Sequence, residues 1–168
     1  MTAHSNHRTL ALSIAASIYI VDQLTKWIVT GPLNLDYEGA VYYIVSFFQF
    51  TLTHNEGVAL GLFPAGSESQ RWILTGILAC ITAGVAYWVW TEKVRGDAMG
   101  LALVLGGALG NLTDRARFGY VIDFADLHFG DFRPFLVFNL ADAAITVGVL
   151  ILLARALLVR EPQPKVES

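Results

Sequence analysis

Residues 119–143 read GYVIDFADLHFGDFRPFLVFNLADA and place two acidic side chains, Asp123 and Asp142, in unusually apolar surroundings. Asp123 lies inside a short hydrophobic run, and Asp142 stands at the start of the long apolar run 143–158. An ionised carboxylate beside hydrocarbon is strongly unfavourable, so an unpaired carboxylate in such a place tends to take up a proton. If the fold brings these two groups together, they can share one proton.

Spacing alone leaves two interpretations of this pair open. In the first, one carboxylate activates a water molecule and the other polarises a carbonyl group under attack, as in aspartic proteases. In the second, Asp142 caps its helix and Asp123 is a loop residue without a chemical role. The two residues are nineteen positions apart, so they meet only if the chain folds back, and residues 130–134 offer a turn.

The composition favours an integral membrane protein. The chain has 168 residues, of which 55% are hydrophobic and 15% are charged, and its mean hydropathy is +0.54. Soluble domains are usually less apolar and more charged, and here the apolar residues cluster into long runs. The net charge of −3, without any basic block, argues against a nucleic-acid partner. The single cysteine, Cys80, excludes an internal disulfide and is predicted to be a small core residue.

Four apolar runs predict an all-α fold with four transmembrane helices in a single membrane domain, residues 1–168, carrying a small β-sheet at its outer face. The third run is short and rich in glycine, and its Gly106-xxx-Gly110 pattern is typical of closely packed membrane helices. The predicted spans are residues 10–29, 71–91, 98–112 and 135–158.

Two longer segments separate these spans, a β-rich segment at residues 33–70 and a second exposed segment at residues 113–134. Alternation of aromatic and polar side chains over residues 47–54 predicts a strand with Phe48, Phe50, Leu52 and His54 on one face. Residues 41–45 predict a second short strand or an extension of the first. We therefore expect a small sheet on the membrane surface, followed by a turn at Asn55.

The distribution of basic residues predicts the orientation. Four spans put both termini on one side of the membrane. Residues 1–9, 92–97 and 155–168 on that side contain six Lys or Arg in 29 positions. The opposite segments, 31–71 and 113–134, contain four in 63 positions. Because basic residues concentrate on the cytoplasmic side, both termini are predicted to be cytoplasmic and both aspartates to lie at the outer face.

Charged residues inside or beside the spans are the remaining candidates. Asp22 and Lys26 lie four apart on one helical face, in the favourable order of acid before base, and we interpret them as a structural pair. Asp114 and Arg115 follow the third span and are either interface residues or part of a site. Asn55 is either a turn residue only or a part of that same site.

Five short blocks, taken together, resemble the bacterial lipoprotein signal peptidases, signal peptidase II. Each block is weak alone, but their order along the chain is highly specific, and the resemblance extends over about residues 10–155. The blocks are DQLTK at 22–26, NEGVA at 55–59, GGALGNLTDR at 106–115, VIDF at 121–124 and FNLAD at 138–142.

The resemblance implies a four-helix aspartyl endopeptidase of the bacterial inner membrane, with its active site near the periplasmic face. Such an enzyme removes the signal peptide from prolipoproteins, cleaving before a cysteine that already carries diacylglycerol. It implies Asp123 and Asp142 as the catalytic pair and places the family's acid–base pair of the first helix at Asp22 and Lys26. The positions implied to bind substrate or support the site are Asn55, Gly57, Asn111, Asp114, Arg115, Asn139 and Ala141.

The resemblance also implies the partners. They are the lipidated prolipoprotein, membrane lipids and the cyclic peptide inhibitor globomycin, with no metal ion and no organic cofactor. His54 stands where this family commonly has tyrosine, and we expect it to be structural, without effect on the chemistry. Asp126 and Asp131, in the predicted exposed segment, are expected to be replaceable and to serve as controls for the catalytic pair.

Two functions of other classes compete with a peptidase. One is a small proton-coupled transporter, since acids within membranes also act as proton relays. Transporters usually show an internal repeat with broken helices, and relays have acids at several depths, whereas this sequence shows neither feature. The other is a structural assembly factor, in which the aspartates would be replaceable. Among peptidase chemistries, the sequence contains no Gly-x-Ser-x-Gly and no His-Glu-x-x-His motif.

Overall fold

Four helices and one small antiparallel sheet make up the computed structural model, which describes residues 2–57 and 68–158, with residues 2–6 as backbone only. Val58 and Ala59 of the NEGVA block and the predicted polar tail 159–168 lie outside the described residues. In chain order the elements are α1 (Thr2–Thr30), β1 (Val41–Val45), β2 (Phe48–Asn55), α2 (Glu68–Thr91), α3 (Arg95–Arg117), β3 (Val121–Leu127) and α4 (Leu140–Leu158).

Three helices in the described part of the chain are long and apolar enough to cross a membrane, namely His7–Thr30, Glu68–Thr91 and Leu140–Leu158. The sequence predicted four such helices. The remaining one, α3, packs against α1, α2 and α4 and therefore lies at the centre of the bundle. A helix surrounded by other helices contacts little lipid, so it can carry polar residues and glycine where a lipid-facing helix carries apolar side chains.

The third helix is longer than predicted. The predicted span ends at residue 112, within the polar sequence NLTDR at residues 111–115, whereas α3 continues to Arg117. Asp114 and Arg115 are both buried in this last part of the helix. They extend the helix within the protein because Asp114 pairs with Lys26 of α1 and Arg115 lies against the turn at Gly57, which a single sequence window does not reveal.

Glycines let α3 approach its neighbours closely, as the Gly106-xxx-Gly110 pattern predicted. A Cβ atom on Gly106 would lie 2.6 Å from the carbonyl oxygen of Ala15, and one on Gly110 would lie 2.5 Å from a carboxylate oxygen of Asp22. Both distances are shorter than carbon–oxygen contacts allow, so the α1–α3 contact requires glycine at both positions. Gly107 faces the backbone of α4 in the same way.

The predicted sheet is present, with the strand order β1-β2-β3 and antiparallel pairing throughout. The third strand falls in the segment predicted to be exposed, and this prediction was wrong, because residues 121–126 of β3 are buried. The strict alternation predicted for β2 was also wrong. Gln49 is buried, because the pairing of β2 with β3 shifts register between Phe50 and Thr53 and changes which face of the strand is covered.

The chain reverses between β3 and α4 and returns along β3. Phe129 and Phe132 pair across the reversal, where Gly130 adopts a φ of +63°. Phe138 then pairs with Ala125, with N–O distances of 2.7 and 3.1 Å. Because residues up to Phe138 are held in this pairing, α4 begins at Leu140 rather than near residue 135, where the apolar run had placed it.

Two apolar clusters hold the fold together. One joins α1, α2 and α3 and includes Ala11, Ala15, Val89, Leu101 and Leu105. The other lies between the sheet and the end of α1 and includes Val29, Leu52, Ile122 and Phe124. Cys80 belongs to neither cluster and is exposed. Its prediction as a core residue was wrong, because α2 buries only one stripe, formed by Thr75, Thr82 and Val89.

Candidate active site

Asp123 lies in the middle of β3 with its carboxylate almost completely buried, at 2% exposure. Two asparagine side chains donate hydrogen bonds to it. Asn139 Nδ2 lies 2.6 Å from Asp123 Oδ1, and Asn55 Nδ2 lies 3.0 Å from Asp123 Oδ2. The carboxylate is thus held on both oxygens by two neutral amides, one from the end of β2 and one from the residue before α4.

Asp142 occupies the first turn of α4 and is half-buried. It exchanges hydrogen bonds with Asn139. The backbone N–H of Asp142 donates to Asn139 Oδ1 at 2.9 Å, and the backbone N–H of Asn139 donates to Asp142 Oδ2 at 3.2 Å. This is the reciprocal arrangement of a helix capping box, so Asn139 rather than Asp142 is the cap of α4.

Asn111 and Asn139 connect the two carboxylates. Asn111 Nδ2 donates to Asp142 Oδ1 at 2.8 Å, and Asn111 Oδ1 accepts from Asn139 Nδ2 at 3.1 Å. Since Asn139 also donates to Asp123, a continuous chain of hydrogen bonds runs from Asp123 to Asp142. The structure therefore brings together the two aspartates that the sequence singled out, together with three of the predicted supporting residues.

The surroundings raise the pKa of the Asp123 carboxyl to about 7. Burial is the largest cause, because it disfavours the charged form, and the negative charge of Asp142 adds to it. The hydrogen bonds from Asn55 and Asn139 act in the opposite direction. Within the described residues no lysine or arginine forms an ion pair with Asp123 or Asp142. One proton on this pair is thus compatible with near-neutral pH.

A charged cluster lies beside the pair, joins α1 to α3 and is linked to the pair by Lys26 Nζ, which donates to Asn111 Oδ1 at 3.3 Å. Lys26 Nζ lies 2.8 Å from Asp22 Oδ2 and 2.7 Å from Asp114 Oδ2, and all three side chains are buried. Asp22 also accepts the backbone N–H of Ala141 at 3.0 Å, which ties the start of α4 to α1. The predicted pair of Asp22 and Lys26 is therefore formed, with Asp114 as a second acid that the sequence had not assigned to it.

Arg115 extends from α3 towards the turn after β2. Its two terminal nitrogens lie so close to Gly57 that a Cβ atom there would be 2.9 Å from each. Gly57 has a φ of +69°, a conformation that glycine adopts without strain. The NH1 nitrogen of Arg115 is buried and has no hydrogen-bond partner among the described residues. Its charge acts on Asp123 and Asp142, so it is a cation of this site.

Asp126 has surroundings that differ from those expected for a control residue. It is 1% exposed and accepts hydrogen bonds from Gln49 (2.9 Å), Thr51 (3.0 Å) and Arg133 (3.1 Å). Burial acts to raise the pKa of this carboxyl, but these hydrogen bonds outweigh it and hold the pKa below its ordinary value. The expectation that Asp126 is exposed was wrong, whereas Asp131 is exposed as expected. Whether Asp126 can be replaced is a matter of activity, which the Asp126→Asn variant tests.

Sequence reasoning missed Gln23, which donates to both Asp114 (2.9 Å) and Asp22 (3.2 Å). Its position next to Asp22 in the DQLTK block was the available signal. His54 lies near the end of β2, the central strand, where its backbone N–H donates to Glu38 at 2.8 Å and its ring packs on Tyr120 with centroids 4.1 Å apart. These contacts involve neither of the paired aspartates and agree with a structural role for His54.

Comparison with known proteins finds a family of similar sequences. A sequence profile for the peptidase A8 family, described as Signal peptidase (SPase) II, matches residues 14–158. A lipoprotein signal peptidase of Rhizorhabdus wittichii is 51% identical over 166 residues, covering 99% of this chain and 96% of the relative. A lipoprotein signal peptidase of Acinetobacter baumannii is 34% identical over 161 residues, covering 95% and 89%.

Solved structures resemble the fold. A bacterial membrane enzyme determined by the in meso method at 2.3 Å resolution has a TM-score of 0.71 and 27% sequence identity, over 95% of both chains. A second, at 1.9 Å resolution, has a TM-score of 0.73 and 29% identity, over 91% of this chain and 95% of the other.

Proposed function

The chain belongs to the signal peptidase II family, the lipoprotein signal peptidases, and from that premise we propose that it is an intramembrane aspartic endopeptidase. Its substrate is a prolipoprotein that already carries diacylglycerol on a cysteine, and the bond cleaved is the one before that cysteine. The observation that carries the proposal is the connection of Asp123 to Asp142 through Asn139 and Asn111.

The proposed first step uses one protonated and one ionised carboxyl. Asp123, whose pKa is raised to about 7, is the protonated member, and Asp142 is the ionised one. Negative charge on Asp142 suits its place in the first turn of α4, where unpaired backbone N–H groups favour an anion. Asp142 takes a proton from a water molecule, the water oxygen adds to the peptide carbonyl carbon, and Asp123 gives its proton to the carbonyl oxygen.

Collapse of the tetrahedral intermediate completes the reaction. Asp142, now protonated, delivers its proton to the leaving nitrogen as the carbon–nitrogen bond breaks, and a hydroxyl of the intermediate returns a proton to Asp123. The products are a signal peptide with a new carboxyl group and a lipidated cysteine with a free amino group. Each carboxyl ends in its starting protonation state, so the site is ready for another turnover.

Arg115 and Asn55 are proposed to bind the substrate backbone. Arg115 is a fixed cation whose NH1 has no partner among the described residues, so this nitrogen has a donor to offer to a peptide carbonyl. Asn55 is exposed at the end of β2 and already contacts Asp123, which puts it at the open side of the site. The cyclic peptide globomycin is expected to compete with substrate for these same groups.

The proposed setting is the bacterial inner membrane with both termini cytoplasmic. The three apolar helices and the density of basic residues support this orientation, and α3 serves as the fourth span inside the bundle. The sheet and the paired aspartates then lie near the periplasmic face. A reporter fused after Ser168 should report a cytoplasmic location, and a periplasmic signal from that fusion would reverse the orientation.

The substrate proposal is tested with two matched prolipoproteins, one lipidated on its cysteine and one unmodified. The purified protein in detergent should release the intact signal peptide from the lipidated form, as detected by mass spectrometry, and the unmodified form should be cleaved far more slowly. Globomycin should block the release. Equal cleavage of both forms would refute the requirement for lipid, and cleavage of neither would refute the proposed activity.

A further inference from the structure

We propose that Asp126 is a positioning residue for the reaction, holding in place both asparagines that donate to Asp123. This inference rests on the proposed function. Asp126 contacts neither the paired aspartates nor any group assigned above to substrate binding. It binds β2 through Gln49 and Thr51, and it binds the segment before α4 through Arg133. The contacts with β2 lead to Asn55, and the contact with the segment before α4 leads to Asn139.

The first connection runs along β2 to Asn55. Gln49 pairs with Asp126, but further along the strand Asn55 pairs with Val121, and the register has shifted by one residue between these two pairs. Without the shift, Asn55 would face the side of the sheet opposite to Asp123, because side chains alternate along a strand. The extra residue in β2 therefore brings Asn55 to Asp123, with the observed distance of 3.0 Å.

Asp126 fixes the part of β2 that begins the register shift, from Gln49 to Thr51. Gln49 and Thr51 both donate to Asp126 Oδ2, and Gln49 Nε2 also lies 3.0 Å from Thr51 Oγ1. A bulge leaves a strand free to slip unless its flanking pairs are held. The buried carboxylate supplies a specific acceptor that only one register satisfies, so it selects the register in which Asn55 reaches Asp123.

The second connection runs along the returning segment to Asn139. Arg133 donates to both oxygens of Asp126, from Nε at 3.1 Å and from NH2 at 3.4 Å. Arg133 lies just beyond the reversal at Phe129–Phe132, so this pair holds the returning segment against β3. The segment then pairs with Ala125 through Phe138, and the next residue is Asn139. Loosening the ion pair therefore frees the backbone that carries Asn139.

The test uses Arg133→Gln and Asp126→Asn. Arg133 has a side chain that is 53% exposed, so Arg133→Gln removes one connection without opening the core. With lipidated prolipoprotein as substrate, kcat should fall about tenfold in Arg133→Gln and roughly 10- to 100-fold in Asp126→Asn, because small displacements of catalytic groups have effects of this size. KM should stay nearly unchanged in Arg133→Gln, whose connection leads to Asn139, and should rise in Asp126→Asn, which also displaces the substrate-binding Asn55. Asp131→Asn, an exposed neighbour in the same segment, should keep wild-type kcat.

The pH dependence separates positioning from a merely structural role. The hydrogen bonds from Asn55 and Asn139 lower the pKa of Asp123, so loosening them should move the alkaline limb of the pH–kcat profile to higher pH. A fall in kcat that only follows the fraction of folded protein, with an unmoved alkaline limb, would overturn the inference. So would wild-type kcat in both variants. If the wild-type protein itself fails to cleave, the proposed function is what fails.

Discussion

Strand β3 carries two buried aspartates three positions apart, and their surroundings have opposite effects. Asp123 is 2% exposed and Asp126 is 1% exposed, so both side chains have almost no accessible surface, although much more of the protein surrounds Asp123. The pKa of Asp123 is raised to about 7, whereas the pKa of Asp126 is lowered. Burial alone therefore does not decide the charge of either group.

The depth of burial is one part of the difference, and the partners are the other. Asp126 has the cation of Arg133 and two further donors, which stabilise the ionised form enough to overcome burial. Among the described residues, Asp123 accepts side-chain hydrogen bonds only from the neutral amides of Asn55 and Asn139. A second carboxylate lies nearby, and the cations of Lys26 and Arg115 act on Asp123 without forming an ion pair with it. One strand thus presents a permanent anion on one face and a proton-carrying acid on the other, and the first orders the residues that surround the second.

The largest expected effect comes from removing either member of the pair. Asp123→Asn and Asp142→Asn keep the size of the side chain but can neither take nor deliver a proton, so each should lower cleavage by roughly 10³-fold or more. Each variant should still bind lipidated prolipoprotein. Measured in the same signal-peptide assay, Asp126→Asn should lose much less activity, and Asp131→Asn should lose none. Retained cleavage in either of the first two variants would remove that residue from the mechanism.

The second prediction concerns the charged cluster behind the site. Lys26→Met leaves two buried carboxylates, Asp22 and Asp114, without their cation and should destabilise the protein by about 3–5 kcal/mol. Asp22→Asn should destabilise less, because Lys26 keeps Asp114 as its partner. Melting in detergent measures both, with Lys93→Met, an exposed lysine, as the control. Equal melting of Lys26→Met and wild type would mean that the cluster does not stabilise the fold.

The third prediction concerns Arg115. Arg115→Lys keeps the positive charge but loses the planar fork of donors, so kcat/KM should fall about tenfold while the melting temperature stays close to wild type. Arg117→Lys is the matched control, since Arg117 follows in the same helical turn and is exposed. Unchanged kcat/KM in both Arg115→Lys and Asn55→Ala would show that neither residue holds the substrate.

The fourth prediction concerns stability as a function of pH. Between about pH 4 and pH 7 the folded protein holds a proton on Asp123 that the unfolded chain has released, so this group makes stability fall as pH rises, by at most about 1.4 kcal/mol per pH unit. Asp126 acts with the opposite sign, because its pKa is lowered by folding: its contribution is lost as pH falls below about 4. Asp123→Asn should therefore flatten the decline in melting temperature between pH 5 and pH 7, and an unchanged slope would contradict the raised pKa.

The sequence predicted which helices and strands form more accurately than the residues at which they begin and end. Apolar runs locate the helices, and the alternation in residues 47–54 locates β2, because these periodicities are local. The end of α3 and the start of α4 were misplaced, since both depend on partners elsewhere in the chain. Asp114 and Arg115 continue α3 because Asp114 pairs with Lys26 and Arg115 lies against the turn at Gly57.

Residue types and the family resemblance predicted the paired aspartates of the site, but not the role of Asp126 or the register shift in β2. Asp123 and Asp142 were identified from their apolar neighbours, and the structure places them together. Asp126 stands in a similar apolar run and was taken for an exposed residue, because its partner Gln49 lies 77 positions away. The register shift in β2 was likewise invisible, since it exists only in the pairing with β3.

The central claim is that Asp123 carries a proton near neutral pH while Asp126, on the same strand, does not. Infrared titration of the purified protein in detergent tests it directly, with Asp123→Asn and Asp126→Asn used to assign each carboxyl signal. We expect a carboxylic acid signal that disappears near pH 7 and is missing from Asp123→Asn, and no such signal from Asp126 above about pH 4. An Asp123 signal that is already lost by about pH 4, the ordinary range for aspartate, would contradict it.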